Sequence, residues 1–142
     1  MSISLQTTAV LRELAASEPV SLTVNGSCMR PTLADGDRIR VRSTRCYLPG
    51  DLLAFRRSDG RLLVHRLLGY TIGRRGLRIL ASGDRLSRED EPVALTQVVG
   101  RVIAIGHHRT SVQWVARLRA VLDYLRVTLR RSVRSWVSAT SS

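Results

Sequence analysis

Between Val20 and Ile105 the chain is cut into short apolar runs by glycine, aspartate and proline, a punctuation that leaves room for strands and almost none for a central helix. Val20 to Val24 alternates as a strand. Asp37 to Arg42 sets Ile39 and Val41 against arginines, the period of a strand with one wet face. Leu52 to Phe55 is apolar without a break, which predicts a buried strand. Arg57-Ser58-Asp59-Gly60 predicts a tight turn, because Asp-Gly suits its positive backbone angles, and Arg61 to Tyr70 returns from it. Alternation along that returning strand puts Leu63, His65 and Leu67 on one face and Val64, Arg66 and Leu68 on the other, so His65 is partly desolvated by its neighbours. Gly76 to Ala81 and Val98 to Ile105 are two further strands, separated by the polar Ser82 to Pro92 loop. The pattern predicts a mainly β, barrel-like core.

Both ends read differently. Residues 5 to 16 place Leu5, Val10, Leu11 and Leu14 on a helical stripe that stops before Glu18-Pro19, predicting a short helix over an edge of the core. From Ser111 onward Trp114, Leu118, Val121, Leu122, Leu125, Leu129, Val133 and Trp136 recur at helical spacing. Arg117, Arg119, Arg126, Arg130, Arg131 and Arg134 fill much of the rest. This predicts a basic amphipathic helix of about six turns and a small polar tail after Val137. The 142 residues suffice for one core. They divide into a β domain with its N-terminal helix over 1–110 and the basic helix and tail over 111–142.

No apolar run reaches the ~20 residues that a bilayer crossing takes, and the N-terminus lacks the apolar region of a secretory leader. The expected location is therefore the cytoplasm, with peripheral contact at the inner face of the membrane. Cys28 and Cys46 have no metal-type spacing and are expected to stay reduced. His107-His108 has no suitably spaced carboxylate or cysteine, so no metal and no cofactor is expected.

One stretch carries chemistry. In Asn25 to Val41 a thiol on the small-residue turn Gly26-Ser27-Cys28 is followed by Met29, by a Pro31 that ends regular structure, and by the tight turn Ala34-Asp35-Gly36-Asp37. Cys28 is thereby displayed at a bend. The stretch resembles the nucleophile box of the signal peptidase I and LexA-type self-cleaving proteases, Ser-Met-x-Pro-Thr-Leu-x-x-Gly-Asp, with Cys28 at the serine position and Met29, Pro31, Gly36 and Asp37 matching. Three later segments are similar to that family in its order. Leu48 to Phe55 matches its Pro-Gly-Asp strand, and Leu62 to Gly69 matches the Val-His-Arg-Val strand of the endoplasmic-reticulum and archaeal branch. Ser82-Gly83-Asp84 through Glu89-Asp90, then Gly100-Arg101-Val102, matches that branch's closing segments. The likeness spans roughly residues 22 to 106.

The resemblance implies a signal peptidase/LexA-like β-barrel core and a peptidase that cuts beside small residues, acting on a precursor or leader peptide or on itself. All 23 basic residues are arginine. Arginine keeps its proton at any useful pH, which excludes the family's Ser-Lys dyad within this chain and leaves His65, His107 or His108 as the base. The resembled fold sets the box beside the histidine strand, so it implies a Cys28-His65 dyad in which His65 takes the thiol proton and later gives it to the leaving amine. It also implies Asp90 as the partner of His65, with Asp84 fixing the loop, and the backbone N–H of Cys28 as oxyanion donor. Gly26 stands where some members add a hydroxyl; Ser27 is the substitute donor and, were the turn shifted by one residue, the alternative nucleophile. Cys46 reads as a spectator.

The competing reading is a family member without catalysis that binds a partner. Residues 112–137 suit an anionic membrane through leucines and arginines on opposite faces, and the net charge of +12 suits phosphate. An apolar face packed on the barrel or on another protein is the plainer alternative. Few aromatics and no DNA-binding motif argue against sequence-specific nucleic-acid recognition.

Overall fold

The computed structural model describes residues 2–84, 91–109 and 114–139. Helix α1 (Leu5–Ser17) leads into strands β1 (Val20–Thr23), β2 (Arg38–Arg42), β3 (Leu52–Arg56), β4 (Leu62–Gly73), β5 (Gly76–Ser82), β6 (Val93–Ala94), β7 (Val98–Ile105) and β8 (His108–Arg109), and helix α2 (Trp114–Ala139) follows. The fold is mainly β. The strands form one antiparallel sheet in the order β1-β2-β7-β3-β4-β5-β6, with β8 pairing on β7. Among the described residues the ladder of pairings ends at β1 on one side and at β6 on the other.

Side-chain alternation explains where the core lies. In β2 Ile39 and Val41 are buried while Arg38, Arg40 and Arg42 are exposed. The unbroken apolar run of β3 is buried on both faces. Leu52 and Ala54 join one cluster with Met29, Leu33, Ile39 and Val99, and Leu53 and Phe55 join another with Leu67, Ile79 and Val98. Strand β3 thus lies at the centre of the sheet, between β7 and β4. The Arg57–Gly60 turn forms as its Asp-Gly signal predicts, with Gly60 at φ 87° and the Asp59 carboxylate accepting the Arg61 N–H at 3.0 Å.

Two elements differ from the sequence reading. Strand β4 does not stop at Tyr70 but runs to Gly73, where it turns through Arg74-Arg75 and pairs Gly73 with Gly76. Two arginines carry no turn signature, so the pattern hid this tip. In α1 only part of the expected stripe is docked: Leu11 packs on the core, whereas Leu5, Val10 and Leu14 are exposed and the small Thr8 and Ala15 are wholly buried. Small side chains let the helix backbone approach the sheet closely, and the Thr8 hydroxyl donates to the Ser4 carbonyl at 2.9 Å, which removes the penalty of burying it. Ser4 also caps the helix, accepting the Thr7 N–H. No helix among the described residues is long and apolar enough to cross a membrane.

Candidate functional site

The turn that carries Cys28 is held from both ends. Gly26 takes φ 109°, a conformation side chains disfavour, and its N–H donates to the Asp35 carboxylate at 2.7 Å. Gly36 likewise takes φ 87° and donates to the Val24 carbonyl at 2.8 Å. The Asp37 carboxylate accepts the Ala34 N–H at 2.8 Å. Between these clasps Met29 and Leu33 are buried in the core, and Leu33 closes a turn by donating to the Met29 carbonyl. The Arg30–Pro31 peptide is cis. Ser27 is exposed, and Cys28 is half-buried against the Met29 cluster.

His65 approaches from β4. It faces Leu53 across the β3–β4 ladder and sits edge-on to the Phe55 ring, with centroids 6.0 Å apart and planes at 72°. Packing of this kind leaves it 2% exposed and fixes the imidazole plane. Its Nε2 lies 3.2 Å from Cys28 Sγ. A neutral imidazole accepts the thiol proton across that distance; a protonated one donates to the thiolate. Strand β5 joins β4 only from Arg66 onward, so among the described residues the Leu62–His65 part of β4 is paired with a strand on the β3 side alone.

Arg66, pointing the other way from His65, ties four segments together. Its Nε and Nη2 each donate to the Asp84 carboxylate at 2.8 Å, and its Nη1 donates to the Gly50 carbonyl at 2.9 Å. Its Nη2 also reaches Thr32 Oγ1 at 3.3 Å, and the Thr32 hydroxyl donates to Asp84. A forked guanidinium on a carboxylate is the most directional ion pair a protein can make. This one fastens the box, through Thr32, to the histidine strand and to the turn after β5. The network gives Asp84 the place of a clasp on Arg66 and Thr32. Sequence reading missed Arg66, Thr32 and Asp35; the only available signals were their positions beside the histidine and within the box. Asp90 lies outside the described residues. Cys46 is an exposed free thiol, and His107 is exposed in the turn between β7 and β8.

Burial pushes the Asp84 carboxyl up, but the hydrogen bonds from Arg66 and Thr32, with the Arg66 and Arg119 charges, outweigh it and hold the group below its ordinary range. The folded state therefore favours the carboxylate. That stabilisation is present above the unfolded value and is lost as pH falls through the lower folded one. Thermal melts from pH 7 down to about pH 3 are expected to show a shallower acid decline for Asp84→Asn, with a lower melting temperature at neutral pH. Equal slopes for the two proteins would dismiss this role.

A groove of about 290 Å³ opens beside this network, lined by Pro31, Thr32, Arg66 and Asp84 on one side and by Ala116 and Arg119 of α2 on the other. The arrangement offers a thiol with a proton acceptor and a rigid backing, while the groove is lined by neither Cys28 nor His65. No protein-family model matches this chain, and no curated protein matches it.

Proposed function

We propose that the chain is a peptidase of the signal peptidase/LexA-like type, working by a Cys28-His65 dyad on a precursor or leader peptide or on itself. The observation that carries the reading is the 3.2 Å separation of His65 Nε2 from Cys28 Sγ, two groups 37 positions apart in the sequence. Cys28 Sγ gives its proton to His65 Nε2 and attacks the peptide carbonyl carbon. The oxyanion that forms is met by the backbone N–H of Cys28, with Ser27 beside it. As the C–N bond breaks, His65 returns the proton to the leaving amine, and a thioester to Cys28 remains. Water then attacks the thioester, giving its proton to His65; the C–S bond breaks, the carboxyl product leaves, and His65 returns the proton to Cys28 Sγ. Asp90 is the partner proposed for the His65 ring.

The antiparallel sheet with its two helices is compatible with the family's barrel core and with a basic amphipathic C-terminal helix. Among the described residues Leu62–Val64 pair with a strand on the β3 side alone, which suits an extended substrate that adds itself as a strand. The reading carries with it the cytoplasmic location expected from the sequence. Purified chain incubated with a mixed library of extended peptides rich in alanine, glycine and serine, followed by mass spectrometry, tests it. Cuts after small residues, or a fall in the chain's own mass, are expected, and Cys28→Ala should show neither. Intact peptides and an intact chain in the presence of an alkylatable Cys28 would sink the proposal.

A further inference from the structure

Helix α2 is docked by the face that its sequence pattern makes least conspicuous. Ala120 is 1% exposed and packs with Leu68 and Leu80, while Tyr124 donates its hydroxyl to the Tyr70 carbonyl at 2.7 Å. Gly69 makes room for that ring: a Cβ there would lie 2.5 Å from it. Arg117 is anchored to the Pro49 carbonyl at 3.4 Å and to the buried Asp51 carboxylate at 3.5 Å. These contacts fix the roll of the helix. They turn the leucines outward: Leu118, Val121, Leu122, Leu125 and Leu129 are 52%, 43%, 49%, 51% and 66% exposed. At roughly 100° per residue the five occupy an arc of about 100° centred about 150° round the helix from Ala120, and they extend along about 16 Å of helix.

We propose that this face of α2 is a docking surface for an anionic lipid bilayer. Five large apolar side chains in one row are a contiguous patch rather than the scattered leucines normal on a protein surface. Their flank is cationic. Arg119, Arg126 and Arg130 are exposed beside the row; Asp123, the only acidic residue in the helix, pairs with Arg126 at 3.1 Å and leaves the flank with an excess of positive charge. Charge complementarity selects the occupant. A second copy of the chain would bring two arginine rows and two molecules of net charge +12 against each other. A phosphate polymer would satisfy the arginines and leave the leucines in water. An anionic bilayer takes the leucines into the acyl boundary while its headgroups meet the arginines, the division of labour of an interfacial helix. The inference is independent of the peptidase reading.

Flotation of the full-length chain with extruded phosphatidylcholine vesicles, with and without phosphatidylglycerol, tests this. Binding is expected only to the anionic vesicles. Leu122→Glu/Leu125→Glu, at two solvent-facing positions that leave the docked face intact, should lower the bound fraction roughly tenfold or more, and Arg126→Gln/Arg130→Gln should weaken the anionic preference. Light scattering without lipid should give a monomer for every variant. Three outcomes overturn the proposal: no flotation of the native chain, equal flotation of the double glutamate variant, or a lipid-free dimer that the glutamates dissolve.

Discussion

In a Cys46→Ala background, His65→Ala is expected to slow alkylation of Cys28 by iodoacetamide at pH 7 and to lower peptide cleavage by about 10² to 10⁴, the usual contribution of a positioned acid-base group. Cys28→Ala should remove both signals. The expectation rests on geometry that the rest of the sheet enforces. His65 is 2% exposed, held edge-on by Phe55 and opposite Leu53, so its ring has little freedom to leave Cys28 Sγ at 3.2 Å. The thiolate is the reactive form, so whatever takes the thiol proton sets the rate. His65→Ala leaves a cavity beside Phe55, and a fold effect has to be separated from a chemical one. His65→Gln, which keeps a polar side chain and cannot take a proton, serves for that: it should react as slowly as the alanine variant while melting closer to the native chain. Alkylation of Cys28 at the same rate with and without His65 would refute the dyad.

The parts of this architecture that rest on local patterns were legible in the sequence. Ile39 and Val41 set between arginines gave one face of β2, and the unbroken Leu52–Phe55 run gave a strand buried on both sides. The parts that depend on close approach were not. Periodicity counts large apolar residues and found Leu11, whereas α1 docks most deeply through Thr8 and Ala15, and α2 through Ala120 and a Tyr124 ring seated on Gly69. In both helices most of the conspicuous residues face outward: Leu5, Val10 and Leu14 but not Leu11 in one, and the leucine row in the other. The docked side chains owe their place to shape, which a hydropathy pattern does not record. The clasp around the site was hidden for another reason. Asp84 meets Arg66 from 18 residues away and Thr32 from 52, and no spacing rule links groups brought together only by the sheet. Asp35 is different: its bond to the Gly26 N–H spans nine residues across a turn whose glycines and aspartates already marked it as tightly folded.

Gly100→Ala is expected to destabilise the fold by about 3 kcal/mol, at the upper end of what one added methyl costs in a packed interior. Gly100 lies in β7 and pairs with Ala54 of β3, while the end of β2 crosses directly over it. A Cβ at this position would stand 2.5 Å from the Arg42 carbonyl oxygen, 2.6 Å from its carbon and 2.8 Å from the Ser43 nitrogen. All three are backbone atoms, which cannot swing aside as a side chain can. Relief requires β2 to move outward, at the cost of its pairing with β7 at Arg42 and Arg101 and of the 2.9 Å bond by which the Ser43 N–H holds the Ala15 carbonyl of α1. For a chain of this size the loss corresponds to a drop in melting temperature of roughly 10 °C. Gly106→Ala is the control: at φ 57° with no heavy atom within 4 Å of the added Cβ, it should cost only about 1 kcal/mol, the conformational share alone. The same displacement reaches the site, because the loop bearing Cys28 runs directly into β2 while His65 stands on β4, two strands beyond β7 in the sheet. Even at temperatures where Gly100→Ala remains folded, its Cys28 should therefore alkylate more slowly than in the native chain. A melting temperature within two or three degrees of native, on the order of 1 kcal/mol, would show that β2 yields without cost and would break the link between this crossing and the dyad.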